Sequence, residues 1–180
     1  METIKTLVLI GGINKNSLNH RLFNEIAKQY SGKLSFTQFA IDKLPYYLHD
    51  FENEHFPVVE EFKSLLENSH AVLLITPEYN HSFPGVLKNA LDWGSRLFGK
   101  NYWSGKPVAI IRASAGKMET FAAQGHLQAV CSFLNMYVMK QPKYYEHAQT
   151  LLEETGLIEE ALPFAQEYVD SFENWVEEYI

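Results

Sequence analysis

The stretch Ala71-Val72-Leu73-Leu74-Ile75-Thr76 is almost wholly apolar, and a loop bracketed by prolines, Pro77 to Gly85, follows it. A short apolar run without polar and apolar alternation predicts a strand that is covered on both faces. Two other runs, Thr6 to Ile10 and Pro107 to Ala113, have the same character. We therefore predict three central strands of a parallel sheet.

Helical patterns separate these strands. Apolar residues recur at spacings of three and four between the strands and in a closing segment from Ile158 to Tyr179. Two further strands are predicted, one nearer the edge over Leu34 to Ala40 and a short one over Tyr137 to Met139. Alternating strands and helices impose right-handed crossovers between parallel strands. The sequence thus predicts an α/β fold, a three-layer α/β/α open parallel five-stranded sheet of flavodoxin-like order 2-1-3-4-5.

The whole chain, residues 1–180, is expected to form a single domain. Its 180 residues, 46% of them apolar, suit one hydrophobic core, and no repeat or linker rich in proline and glycine divides them. The polar segment Gln141 to Thr155 is predicted to be a loop that covers the sheet edge or takes part in a subunit contact.

The charge balance narrows the class of partner. Fifteen Lys and Arg residues against 22 Asp and Glu residues give a formal net charge of −7, which argues against nucleic acid and anionic membranes and favours small molecules. Cys131 is the only cysteine, and its apolar neighbours predict a thiol buried in a helix. No run approaches the roughly 20 apolar residues of a membrane span, and no signal peptide is recognisable. A cytoplasmic protein is expected.

The loop from Gly11 to Asn19 follows the first strand and opens the first helix. Its glycines can bring backbone N–H groups close to an anion, and Ser17 and Asn19 can add side-chain donors at the positive end of the helix dipole. It lacks the Gly-Lys-Ser/Thr ending of nucleotide triphosphatases and the G-x-G-x-x-G of dinucleotide folds. The pattern favours a phosphate site, with an ordinary helix cap at Ser17 as the alternative.

The loop from Pro77 to Gly85 follows the third strand. Two prolines stiffen it, and Tyr79 beside Asn80 and backbone amides suits a flat heteroaromatic ring. The alternative is a rigid turn whose tyrosine covers the core. Glu78 is expected to bind backbone or neighbouring-subunit donors, or to be solvated. Ligands of open parallel sheets bind beyond the carboxyl ends of the strands, where both loops are expected to lie.

The order Pro77-Glu78-Tyr79-Asn80, then Ser82, then Pro84 to Trp93 resembles the signature of the flavodoxin-like NAD(P)H-dependent FMN reductase family, which includes azoreductases and quinone and chromate reductases. The resemblance extends to Gly11–Asn19 and the Leu44-Pro45-Tyr46 turn. It implies an oxidoreductase that holds FMN non-covalently and takes electrons from NADPH or NADH. By a ping-pong mechanism it would pass them to a small acceptor, such as a quinone, an azo compound, free flavin or a metal ion.

The resemblance also implies which segments contact FMN. The phosphate would lie against the first loop and the isoalloxazine ring against the second, while a third segment would border the other edge of the ring. The implied residues are Gly12, Asn14, Asn16, Ser17, Leu18, Asn19, Pro77, Glu78, Tyr79, Asn80, Ser114 and Gly116. No catalytic side chain is expected, because the cofactor carries the chemistry. A homodimer or homotetramer is implied as well.

Two departures from the family pattern leave alternatives open. Gly12 and Asn14 stand where the family usually has serine and arginine, and Lys117 to Thr120 replace its usual Gly-Gly pair, so weaker FMN binding is expected. The alternatives are a flavodoxin-type electron carrier and a flavin-poor binding module on the same fold.

Residues His49 to His55 match no recognised metal site, and no metal is expected. Lys88 and Asp92 are predicted to form an intrahelical ion pair, and His81 and His126 to be ordinary histidines.

Overall fold

A parallel sheet forms the middle of the protein. The computed structural model describes residues 3–14, 16–113, 122–140, 143–145, 152–153, 156–157 and 162–180. The strands pair in parallel in the order β2-β1-β3-β4-β5, which confirms the predicted topology. Their bounds are Ile4–Ile10 (β1), Leu34–Phe39 (β2), Ala71–Thr76 (β3), Pro107–Ala113 (β4) and Tyr137–Val138 (β5).

Helices connect and cover the strands. They are Leu18–Gln29 (α1), Pro57–Glu67 (α2), Gly85–Gly94 (α3), Ala122–Phe133 (α4) and Leu162–Glu177 (α5), with short 3-10 helices at Ile41–Lys43 and His49–Phe51. The first four residues of the predicted closing helix, 158–161, lie outside the described residues. Among the helices that are described, none combines the length and the apolar character needed to cross a membrane.

Each face of the sheet carries its own apolar cluster. Val8 of β1 packs with α1 and α5 on one side, whereas Leu7 and Leu9 pack with α2 and α3 on the other. All six residues of β3 are buried. Because both faces are covered, the central strands show no alternation in their sequences, as predicted.

The segment Gln141 to Thr155 is not the plain loop that was predicted. Lys143–Tyr145 forms β6, which pairs in parallel with Ile111 to Ala113 of β4, beyond the part of β4 that pairs with β5. Leu152–Glu153 (β7) and Gly156–Leu157 (β8) form a small antiparallel pair. The loop prediction failed because strand pairing uses backbone groups, and a short polar stretch can pair without an apolar pattern.

Candidate functional site

The loops after β1 and β3 meet at the carboxyl end of the sheet. The Gly11 N–H donates a hydrogen bond to the Ile75 carbonyl oxygen at 2.8 Å. A Cβ atom added to Gly11 would lie 3.0 Å from Thr76 Oγ1 and 3.4 Å from Pro84 Cγ. The strand order reverses between β1 and β3, which is where ligands of such folds bind. The two loops predicted to hold a ligand are thus in direct contact at that point.

The first loop closes tightly onto the start of α1. Ser17 caps this helix, since its Oγ accepts a hydrogen bond from the Asn19 N–H at 3.2 Å. A Cβ atom on Gly12 would overlap Ser17 Oγ and lie 3.1 Å from Asn19 Nδ2. The buried side chains of Ser17 and Asn19 therefore rest against the backbone of Gly12. A side chain at position 12 would therefore require Ser17 Oγ, which caps α1, to move.

The tip of this loop faces outward. Ile13, Asn14 and Asn16 are exposed, while Leu18, the first residue of α1, is half-buried. In the part of the chain that is described, the backbone N–H groups of Gly12, Ile13, Asn14 and Asn16 donate to no protein acceptor. Unpaired N–H groups at the N-terminus of a helix are suited to binding an anion.

The second loop contains a tight reverse turn. Tyr79 and Ser82 exchange two backbone hydrogen bonds, at 2.8 and 3.0 Å, and both central residues have positive φ, 50° at Asn80 and 60° at His81. These angles define a type I′ turn, the form that matches the twist of paired strands. The rigid turn is present, but Tyr79 is 52% exposed and does not cover the core. Its ring is available to a ligand, and Pro77 beside it is half-buried.

Glu78 faces inward from this loop. Its Oε2 accepts hydrogen bonds from Arg112 Nη1 at 3.1 Å and from the backbone N–H of Ala123 at 3.2 Å. Its Oε1 lies 3.6 Å from His81 Nδ1. The side chains of Glu78 and Arg112 are only 8% and 2% exposed. Glu78 therefore binds a backbone donor, which agrees with the first of the two alternatives, and its side chain is not solvated.

Sequence reasoning missed Arg112. Its signal is visible in retrospect, because it is the one charged residue in the otherwise apolar strand β4. A second contact ties the turn to α4, where His126 Nδ1 lies 3.1 Å from Ser82 Oγ. The predicted cofactor residues Ser114 and Gly116 lie outside the described residues.

Helix α3 fastens a third loop. Asn89 Oδ1 accepts from the Tyr47 N–H at 2.7 Å, and Asn89 Nδ2 donates to the Pro45 carbonyl oxygen at 2.9 Å. Trp93 Nε1 donates to the same oxygen at 2.7 Å. Asn89 and Trp93 of the signature thus hold the turn from Leu44 to Tyr47.

Several charged residues of α3 and of the segment after Tyr47 form local contacts. Lys88 Nζ lies 2.6 Å from Asp92 Oδ1, which confirms the predicted ion pair. The Tyr47 hydroxyl donates to Glu52, and this hydrogen bond lowers the pKa of the Glu52 carboxyl. Arg96 Nε approaches the same carboxylate to 3.7 Å. The described residues include no group of three or more His, Cys, Asp and Glu side chains arranged to hold a metal.

Cys131 lies in α4 and is fully buried, as predicted. Burial raises the pKa of its thiol to about 12. A neutral buried thiol is a poor nucleophile, so Cys131 is not a candidate catalytic residue.

Comparisons with known proteins agree with this geometry. Residues 4–150 match the family described as NADPH-dependent FMN reductase. A 2-hydroxy-1,4-benzoquinone reductase from a Burkholderia species is 38% identical over 176 residues, which span 96% of each chain. A quinone reductase from Pseudomonas putida is 38% identical over 178 residues, 97% of this chain and 96% of the relative.

A solved structure is similar over almost the full length. It is FerB, a flavoenzyme NAD(P)H:(acceptor) oxidoreductase from Paracoccus denitrificans, with a TM-score of 0.90, 36% identity and coverage of 98% of this chain and 99% of that one. These matches confirm the predicted fold and the prediction of an oxidoreductase. FMN and a reduced nicotinamide nucleotide, also predicted, are the cofactor and the donor named in the family description. The chain belongs to the NADPH-dependent FMN reductase family.

Proposed function

We propose that this chain binds FMN across the contact between the loops after β1 and β3 and uses it to transfer electrons from NADPH or NADH to a quinone. The contact of Gly11 with Thr76 and Pro84 carries the proposal. This contact places the first loop, with its unpaired N–H groups, beside the rigid second loop, in which Tyr79 is exposed. FMN has a phosphate at one end and a flat ring at the other, so one ligand suits both surfaces.

The phosphate end fits the first loop. The unpaired N–H groups before α1 and the positive end of its dipole suit a phosphate, and the missing side chain at Gly12 lets Ser17 and Asn19 pack against the loop that presents these groups. Asn14 is neutral where an arginine would add charge. We therefore propose that Gly12, Asn14, Asn16, Ser17, Leu18 and Asn19 hold the phosphate mainly through dipoles.

The ring end fits the second loop. Tyr79 and Asn80 are exposed and Pro77 is half-buried beside them, whereas the inward side chain of Glu78 leaves its backbone to face a ligand. Ser114 and Gly116 are retained as the proposed border of the other ring edge. Bound FMN supplies the redox chemistry by accepting two electrons from the nicotinamide and releasing them to the acceptor. The task of the chain is to orient the ring and leave one face open.

A quinone is the proposed acceptor because two relatives named for quinone reduction are 38% identical over nearly the whole chain. We propose a ping-pong order, in which the oxidised nucleotide leaves before the quinone enters the same open face. Azo compounds, free flavin and metal ions are comparison acceptors for the assay.

Stopped-flow mixing tests the proposal. The purified chain, reconstituted with FMN, is expected to lose its visible flavin absorbance on mixing with NADPH or NADH and to regain it with 1,4-benzoquinone. A flavodoxin-type carrier would stay oxidised with both nucleotides, and a flavin-poor module would take up no FMN. Parallel double-reciprocal plots support the ping-pong order, and intersecting plots contradict it.

The exposed ring of Tyr79 offers a direct test of the site. Tyr79→Ala is expected to raise the FMN dissociation constant about fivefold, because the substitution removes a ring-packing surface worth about 1 kcal/mol. Phe133→Ala is the matched control, since Phe133 is an exposed aromatic residue at the far end of α4. Fluorescence titration of both variants measures the effect. Equal affinities would remove Tyr79 from the site.

We also propose that the chain forms a homodimer or homotetramer. Tyr46 and Phe98 are 83% and 93% exposed. They lie within two residues of Tyr47 and Arg96 along the chain, and Arg96 Cζ lies 5.1 Å from the centre of the Tyr47 ring. Large exposed aromatic side chains in one region favour association. Sedimentation analysis of Phe98→Ser is expected to show a shift toward monomer.

Three further predictions from the sequence stay predictions. They are a cytoplasmic location, a single domain over residues 1–180, and the lack of nucleic-acid and membrane partners.

A further inference from the structure

We propose that Arg112 is a positioning residue for the flavin site, which holds the loop from Pro77 to Asn80 in place by binding the buried carboxylate of Glu78. The inference rests on the proposed function, because that proposal assigns this loop to the flavin ring. Neither residue needs to touch FMN with its side chain. Their ion pair would fix the backbone that does.

The sheet fixes Arg112 beside the start of this loop. In the parallel pairing of β3 with β4, Arg112 stands opposite Thr76, the last residue before the loop. Its guanidinium then reaches Glu78, two residues further along, at 3.1 Å. The loop is thus bonded to a neighbouring strand through a side chain that is almost fully buried. Only Pro77 separates Thr76, at the end of β3, from the bound Glu78, so this part of the loop has little conformational freedom.

Three elements converge on the Glu78 carboxylate. In the described chain the charged and titratable groups that face it are Arg112 from β4 and His81 from the turn of the loop itself, while α4 contributes the backbone N–H of Ala123. The His81 side chain is 70% exposed and lies further away. Arg112 is therefore the main counter-charge. A carboxylate so deeply buried requires one to stay ionised.

Loss of the guanidinium would leave Glu78 two outcomes. The carboxyl could take up a proton and stay inside, or it could stay charged and turn toward water. Turning outward would displace the backbone beside Pro77 and Tyr79. FMN binding should then weaken, and it should weaken most at high pH, where the carboxyl is ionised.

The experiment compares FMN dissociation constants, measured by fluorescence quenching in the full-length chain, at about pH 5.5, where protonation of a buried carboxyl is favoured, and at about pH 8, where its ionisation is favoured. Arg112→Met is expected to bind FMN about tenfold more weakly at the higher pH and to recover most of this loss at the lower pH. The double variant Arg112→Met, Glu78→Gln has no carboxyl to titrate. It is expected to lie within about threefold of wild type and to show the wild-type response to pH.

Controls separate this effect from others. His126 and the FMN phosphate are the same in the single and the double variant, so any pH response of theirs is shared by the two. His81 lies 3.6 Å from Glu78 Oε1, so both variants are also made with His81→Asn, which removes the imidazole from the comparison. Lys88→Met makes the same chemical change in an exposed ion pair and is expected to match wild type. Arg112→Lys keeps the charge without the fork of donors and should restore part of the binding.

The outcomes distinguish two failures. Wild-type affinity in Arg112→Met, or the same pH response in the single and double variants, would overturn the positioning role. If Arg112→Met does not fold by circular dichroism, Glu78→Gln decides, since it should raise the dissociation constant severalfold and wild-type affinity would refute the role. If wild type and Lys88→Met bind no FMN, the proposed function fails instead.

Discussion

The loops after β1 and β3 end at the same edge of the sheet and touch each other, yet different interactions hold them. The first is shaped by its own backbone, with Ser17 and Asn19 packed against Gly12. The second is anchored from outside, because Arg112 and the N–H of Ala123 bind Glu78 within it. A substitution that adds atoms should therefore disturb the packing of the first loop. A substitution that removes a hydrogen-bonding group should instead disturb the second loop.

The largest expected effect comes from adding one methyl group to each loop. Gly12→Ala should raise the FMN dissociation constant about 30-fold, which corresponds to the roughly 2 kcal/mol cost of overpacking. Gly85→Ala is the matched change at the end of the second loop, where a Cβ atom would meet nothing within 4 Å. Its dissociation constant should stay within about twofold of wild type. Fluorescence titration gives both values, and equal losses would contradict the contrast.

A second test removes an anchor from a loop that is also held by side chains. Asn89→Leu leaves the partly buried N–H of Tyr47 without its acceptor and should lower the free energy of unfolding by about 1 to 2 kcal/mol. Urea denaturation measures this change. Asn174→Leu, on the exposed surface of α5, is the control and should change stability by less than about 0.5 kcal/mol. An unchanged midpoint for Asn89→Leu would show that this loop does not depend on its anchor.

A third, smaller effect concerns the turn of the second loop. His81 has a φ of 60°, which glycine adopts at little cost, so His81→Gly should raise the free energy of unfolding by about 0.5 kcal/mol. His81→Val should lower it by about 1 kcal/mol, because branched side chains are unfavourable there. Thermal unfolding of the pair is the measurement. The same sign for both variants would mean that backbone strain is absent from this turn.

The smallest effect is expected at Glu52. The hydrogen bond from Tyr47 lowers the pKa of Glu52 below its usual 4.5, so the folded state gains stability above that pH and loses it as the pH falls through the lowered value. Tyr47→Phe should therefore unfold at a lower temperature than wild type at neutral pH. The difference should shrink in acid, as calorimetry between about pH 7 and about pH 3.5 can test. A constant difference would assign the effect to packing alone.

The sheet was predictable because burial on both faces leaves a clear mark on a sequence. The runs that became β1, β3 and β4 are apolar throughout most of their length, and any other placement would expose them. Residues 143–145 carry no such mark. Their pairing with β4 depends on backbone hydrogen bonds, and such pairing cannot be predicted from the pattern of side chains.

The site was predictable only in part. Glycines and prolines constrain the backbone locally, so they indicated the two loops that the structure brings together at the carboxyl end of the sheet. The partner of Glu78, in contrast, depends on the register of β3 with β4, which places Arg112 opposite Thr76. Likewise, the contact of Asn89 with Tyr47 joins residues 42 positions apart. Contacts of this kind follow from the assembled fold and cannot be obtained from spacing along the chain.

The burial of Cys131 has a consequence for the proposed transfer of electrons to a quinone. Quinones are electrophiles that alkylate thiolates, and an accessible cysteine near the site would be consumed by the substrate itself. This chain has one cysteine, enclosed in α4, and its pKa of about 12 keeps it protonated at any physiological pH. The fold thus keeps its only thiol away from electrophiles, and peptide mass spectrometry after many turnovers with benzoquinone should find Cys131 unmodified.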